Sequence, residues 1–252
     1  MKNQAELFNA GLELLFAAKL QQKQLTGWFE YQELRMQERE AMRAAGHDPD
    51  DARYAGELLC RCVKKMNLTI PPGSVFAGTQ DDAFSPSYAL INPSFEVESF
   101  AGYCDPVAIY SDIEPSAAIP KERIEAVRDY YRGTPHVKRL TAIYEKTATL
   151  TDEVTFFMEP VTGHMIPDMR PILAQGLEAF AMEAQADAPF VAVMREAAQA
   201  ALILAERYAE LADKLAAERS DMPGEPERLK LIAAICRQVP RRIARILHEA
   251  MQ

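Results

Sequence analysis

Apolar residues recur at helical spacing along most of this chain. The pattern is clearest from Pro189 to about Glu218, where apolar side chains alternate every three or four positions and charged side chains occupy the positions between them. The apolar positions of this stretch are Phe190, Met194, Ala197, Ala201, Leu204, Tyr208, Leu211 and Leu215. We therefore predict one long amphipathic helix, which packs on its neighbours through Leu204 and Leu211.

Caps, prolines and glycines delimit further helices. Residues 5–45 are rich in good helix formers and are interrupted near Leu25–Trp28. Pro120 and Pro135 each lie where a first-turn proline would start a helix, and Gly133 closes the first of these two helices. Beyond residue 45 we predict helices over 52–66, 120–131, 135–146, from near Arg170, over 189–218, and over 229–236 with Pro240 ending or kinking the last.

Two stretches lack this helical pattern. Between Ser74 and Pro120 the chain is rich in aromatic, Val, Ser, Pro and Gly residues, and its best strand candidates are 75–77 and 95–100. A second irregular stretch runs from Leu150 to Asp168. The predicted fold class is therefore mainly α with a few short strands.

Composition and charge restrict the classes of partner. Apolar residues make up 48% of the chain, which is enough for a sizeable buried core. The formal net charge is −9, and no run of basic residues is interleaved with aromatics, so nucleic acid is excluded as a partner. No apolar stretch reaches the roughly 20 residues that span a bilayer, and no signal-peptide pattern opens the chain. We expect a cytoplasmic protein without a membrane partner.

The cysteines predict neither a disulfide framework nor a metal site. Cys60, Cys62, Cys104 and Cys236 are too few for a disulfide scaffold in a chain of this length. Cys60 and Cys62 would point about 200° apart on a helix, so their thiols would not bind one metal ion together. Phosphate-binding glycine loops, zinc-binding motifs and nucleophile elbows are all missing from the sequence. We interpret the cysteines as reduced, structural residues and expect no metal.

One of the histidines lies in a setting that differs from the rest. His47, His136 and His248 lie in turns or on helices, where surface or capping roles are expected. His164 lies in the apolar, turn-rich segment 160–168, which could hold its ring by the backbone and aim it into a cleft. The alternative interpretation is structural, with His164 as a hydrogen-bonded loop residue and Asp168 as the cap of the helix near Arg170.

Four segments, in order along the chain, resemble motifs of one enzyme family. Gly163-His-Met-Ile-Pro-Asp168, followed by 173–177, resembles the G-H-x-x-P-D motif and the helix after it in the pyruvate formate-lyase-like glycyl radical enzymes. The other three matches are Ile70–Gly78 with its proline turn, 205–212 with its R-Y-A sequence, and 227–252, which is similar to the segment that precedes the catalytic machinery. Residues 1–45 and 84–110 match less well, as in a divergent member.

The resemblance implies an architecture and a site. Family members fold as an α/β barrel of two half-barrels wrapped in helices, and 1–252 would be a single N-terminal, largely helical region with a divergent lead-in at 1–45. By analogy with dehydratase members, His164 would bind a substrate hydroxyl, supported by Gly163, Pro167 and Asp168. No cysteine here matches the family's thiyl cysteine, and the R-V-x-G-Y radical loop is absent from the sequence.

The resemblance also leaves two functions open. In the first, the chain is the N-terminal portion or a split subunit of an anaerobic radical lyase or dehydratase, with the radical glycine and thiyl cysteine on a second polypeptide. A separate activating enzyme, with S-adenosylmethionine and an iron–sulfur cluster, would install the radical, so this chain would bind no cofactor. In the second, it is a non-catalytic helical binding or regulatory protein. Both predict a partner or self-association, with joining surfaces near Val75, Phe95 or helix 190–218.

Overall fold

The regular secondary structure of the described residues is helical. The computed structural model describes residues 26–78, 113–148, 168–183 and 189–252. Its α-helices are α1 (Thr26–Ala44), α2 (Ala55–Lys65), α3 (Lys121–Arg132), α4 (Pro135–Ala148), α5 (Arg170–Gln175), α6 (Leu177–Glu183), α7 (Pro189–Glu218), α8 (Glu225–Gln238) and α9 (Leu247–Met251), and a 3₁₀ turn (Ala52–Tyr54) precedes α2. The predicted helices within these ranges are confirmed, including the start of α5 at Arg170 and the full extent of α7.

The strand prediction at 75–77 is wrong. These residues form a bend in which side chains satisfy the backbone: the Ser74 hydroxyl donates to the Phe76 carbonyl, and the Gln252 amide bonds both the N–H and the C=O of Ala77. A strand would need those backbone groups for a neighbouring strand. The second strand candidate, 95–100, lies outside the described residues.

The chain divides into two compact units, each with its own core. The first unit comprises Met1–Met36 and Gln80–His164, and the second comprises Gln37–Thr79 and Met165–Gln252. In the first unit, Ile124, Val127 and Tyr131 lie on one face of α3 at helical spacing and are buried against Phe29 of α1. The buried Tyr131 hydroxyl donates to the Gln32 carbonyl at 2.8 Å, which satisfies its polar atom inside the apolar cluster.

The core of the second unit lies between α7 and α8. On α7 the buried residues are Tyr208 and the small Ala209, Ala212 and Ala216, and α8 contributes Leu229, Ile232, Ala233 and Cys236. Small side chains let two helices approach closely, so the larger α8 residues fill the space. Leu204 and Leu211 pack against the edge of this cluster and are only partly buried. The predicted packing face is therefore confirmed, but its centre is Tyr208 and the alanines.

The described cysteines are structural thiols. Cys62 and Cys236 are buried, and burial raises the pKa of the Cys236 thiol to about 11, so it stays protonated at neutral pH. The partly buried Cys60 thiol donates to the Glu196 carbonyl on α7 at 3.1 Å, and burial raises its pKa as well. A protonated thiol is a poor nucleophile and metal ligand. Cys104 lies outside the described residues.

Two leucines of α8 differ in burial and provide a test of the second core. Leu229 is 0% exposed, whereas Leu231, two positions along the same helix, is 48% exposed. Leu229→Ala should lower the free energy of unfolding by about 2–5 kcal/mol through lost burial and a cavity. Leu231→Ala should change it by less than about 0.5 kcal/mol. Urea unfolding of both variants measures the difference, and equal losses would show that the α7–α8 core is wrongly placed.

Candidate functional site

Only the last residue of the G-H-x-x-P-D motif lies within the described part of the chain. Gly163, His164 and Pro167 lie outside it. The Asp168 carboxylate accepts the Arg170 backbone N–H at 3.1 Å and two guanidinium hydrogen bonds at 2.8 Å each. These Arg170 hydrogen bonds lower the pKa of Asp168, so the carboxylate is ionised at neutral pH. Asp168 thereby binds the first turn of α5, although the N-cap residue of this helix is Met169 and not Asp168.

A glycine fixes the position of α5 against the C-terminal segment. Gly176 separates α5 from α6 with φ +83° and ψ 157°, a conformation that only glycine adopts readily. A Cβ at this position would lie 2.5 Å from the Arg241 carbonyl oxygen and 2.6 Å from the Arg242 Cα. The missing side chain therefore lets the backbone of the α5–α6 turn lie directly on residues 241–242.

Hydrogen bonds complete this contact. The Leu177 N–H donates to the Pro240 carbonyl at 2.7 Å, and the Glu178 N–H donates to the Arg241 carbonyl at 3.3 Å. The Arg241 guanidinium also contacts the Glu178 carboxylate at 2.8 Å. The first turn of α6 thus uses N–H groups that have no partner inside the helix to bind the segment after α8. The α5–α6 turn, at the C-terminal end of the motif helix α5, is consequently anchored to the segment after α8.

The loop 70–78 is bound by the terminal helix α9. The His248 Nε2–H donates to the Val75 carbonyl at 3.0 Å, and its ring meets the Phe76 ring edge-on with centroids 5.1 Å apart. The Gln252 side chain makes two hydrogen bonds of 3.0 Å each to Ala77. His248 therefore orders the loop through a long-range contact, which is not the surface or capping role expected from the sequence.

The same loop is held from a second direction by Glu225 of α8. The Glu225 carboxylate accepts the Gly73 N–H at 2.9 Å and two hydrogen bonds from Arg228 at 2.8 and 2.6 Å, and Arg219 lies 3.4 Å away. Arg228 also donates to the Ser74 carbonyl. These groups, Arg228 first, lower the pKa of Glu225 to about 2 although burial opposes ionisation. One carboxylate therefore joins α8 to the loop.

The lowered pKa of Glu225 predicts a pH-dependent stability. Its folded pKa is about 2 and its ordinary value 4.5, so the folded state binds this proton less tightly than the unfolded state. The stabilisation is complete above pH 4.5 and is lost as the pH falls towards about 2. We expect Glu225→Gln to lower the free energy of unfolding at pH 7 by about 2–3 kcal/mol, because Arg228 and Arg219 lose their partner.

Glu227, on the same turn and exposed, is the matched control. Glu227→Gln should leave the free energy of unfolding at pH 7 unchanged within about 0.5 kcal/mol and should retain the acid transition of the wild type. Urea titrations between pH 2 and 7 follow both variants. If Glu225→Gln kept the full acid dependence between pH 4.5 and 2, the Glu225 cluster would not be its source.

The R-Y-A segment of α7 also has a structural role. The Arg207 guanidinium donates to the carbonyls of Val63 and Met66, the latter at 2.8 Å, and so satisfies the C-terminal end of α2. Tyr208 and the following alanine are buried in the α7–α8 core, and burial raises the pKa of Tyr208 to about 12. Arg207 of this segment thus holds the C-terminal end of α2 on α7, and the loop 70–78 begins a few residues after that end.

The remaining titratable candidates do not form a second centre within the described residues. The Nδ1 atom of His47 lies 2.7 Å from the Glu57 carboxylate, and its ring stacks on Tyr54. His136 is exposed at the start of α4. In the described part of the chain, no group of three His, Cys, Asp or Glu side chains could hold a metal ion. Among the described helices, none combines the length and the apolar character that a bilayer-spanning helix needs.

The described residues of the four resembling segments, which for the first of them are 168 and 173–177, all belong to the second unit. The loop 70–78 lies on α8 and α9, the α5–α6 turn lies on 240–242, and the 205–212 segment packs on α8 and caps α2. These contacts are made between segments far apart in sequence. The second unit therefore brings together segments that are far apart in the sequence.

Comparison with known proteins identifies the family. The sequence model of the pyruvate formate lyase-like family matches residues 12–252. No curated protein matches the sequence significantly. A solved structure from work on 1,2-propanediol dehydration in Roseburia inulinivorans is 20% identical, with a TM-score of 0.61 over 88% of this chain and 28% of its own. The glycerol-bound B12-independent glycerol dehydratase from Clostridium butyricum is 17% identical, with a TM-score of 0.60 over 95% of this chain and 32% of its own.

Sequence identity and coverage determine what these two similarities show. At 17–20% identity they show a shared fold. The chain spans less than a third of the length of either structure.

Proposed function

Since the chain belongs to the pyruvate formate lyase-like family, we propose that it forms the N-terminal, substrate-binding part of a glycyl radical dehydratase. The observation that supports the proposal is the contact between described residues of the family-like segments in the second unit, where Gly176 lies on 241–242 and Glu225 binds Gly73. A binding loop needs such a rigid support, because small displacements of a positioning group cost large factors in rate.

The proposed substrates are small vicinal diols and polyols. The two structural neighbours concern 1,2-propanediol dehydration and a glycerol dehydratase, which share this substrate class. Dehydration of a vicinal diol removes one hydroxyl group as water and leaves a carbonyl compound. The departing hydroxyl must gain a proton, and an imidazole that titrates near neutral pH can donate it. We assign this role, or a hydrogen bond to that hydroxyl, to His164, with Gly163, Pro167 and Asp168 shaping its loop.

The radical chemistry is assigned to the rest of the enzyme. More than two thirds of each neighbour's chain lies outside the match, and that part would carry the thiyl cysteine and the radical glycine. It belongs either to the same polypeptide as this sequence or to a second one. The described cysteines fit a purely structural role here, because burial raises the pKa of Cys60 and of Cys236. A separate S-adenosylmethionine and iron–sulfur activating enzyme would install the glycyl radical, so the enzyme would work anaerobically.

Anaerobic purification of the native protein tests this proposal. The polypeptides that contain or accompany this sequence are identified by mass spectrometry, and the sample is activated and assayed for aldehyde formation from glycerol and 1,2-propanediol. We expect a polypeptide with a radical-site glycine and an internal thiyl cysteine, together with an activity that oxygen destroys.

Recovery of the chain without any such region would contradict the proposal. It would then favour the non-catalytic binding protein considered in the sequence analysis. Formation of a radical without turnover of either polyol would support the glycyl radical enzyme class but would exclude the proposed substrates.

A further inference from the structure

We draw no further inference here: the strongest candidate, the side-chain amide of Gln32, which is fully buried in the core of the first unit and makes no hydrogen bond within the described residues, carries nothing because most of that unit lies outside the described residues and nothing in the structure shows which group binds the amide.

Discussion

Gly176→Ala should destabilise the second unit by about 3–5 kcal/mol, the largest effect on stability that we expect from a single methyl group in this protein. Two costs add. The backbone at φ +83° and ψ 157° lies in a region nearly restricted to glycine. The new Cβ would also meet three backbone atoms of Arg241 and Arg242 at 2.5–2.8 Å, and backbone cannot rotate away as a flexible side chain can.

The physical consequence is separation of the α5–α6 turn from the segment after α8. To relieve the overlap, the Leu177 N–H and the Glu178 N–H would have to leave the carbonyls of Pro240 and Arg241. Urea unfolding measures the loss of free energy, and limited proteolysis should show faster cleavage at α5 and α6. If the proposed function is correct, activity in the complete enzyme should fall as well, because small displacements of positioning groups cost large factors in rate.

Gly224→Ala is the matched control. Gly224 also has a positive φ, +79°, but an added Cβ would meet nothing within 4 Å. It should therefore lose only the conformational cost, about 1 kcal/mol. If both variants lost the same free energy, close contact at Gly176 would not be the cause, and the docking of α6 on 240–242 would be in doubt.

The helices could be predicted from sequence because their signals are local. Helix α3 begins after Pro120 and ends at Gly133, and α7 has an apolar stripe along its whole length. Such caps and periodicities depend on neighbours a few positions away. The segment 75–77 forms a bend and not the predicted strand because its β-prone residues also suit a bend, and the bend is held by side chains 173 and 175 positions away, His248 and Gln252.

The groups that support the candidate site were not identified from sequence for the same reason. Glu225 resembles any acidic residue in a first helical turn, yet it binds Gly73, 152 positions away. Gly176 resembles an ordinary helix break, and its constraint comes from Arg241 and Arg242. Two of the segments that the motif resemblance singled out, 173–177 and 227–252, do contact each other. The resemblance could not specify which residues make the contact.

His164→Ala should lower the dehydration rate of the activated enzyme at least 100-fold, by removing a general acid or a hydrogen bond to the departing hydroxyl. The free energy of unfolding should change by less than about 1 kcal/mol, because a residue placed for binding contributes little to packing. His164→Gln keeps a hydrogen-bond donor but cannot supply a proton at neutral pH. Comparison of kcat for the two variants on 1,2-propanediol therefore separates proton donation from hydrogen bonding.

His136→Ala is the control, because His136 is exposed at the start of α4 and carries no proposed role. It should keep both activity and stability. If His164→Ala instead lost several kcal/mol of stability, the ring would be a structural hydrogen-bonding group of its loop, the alternative that sequence physics favours for a single histidine. If the variant stayed stable and active, the site would have to recognise substrate through other residues, although the family and the scaffold of the second unit would remain as described. Stability and rate measured together thus decide which of the two roles His164 has.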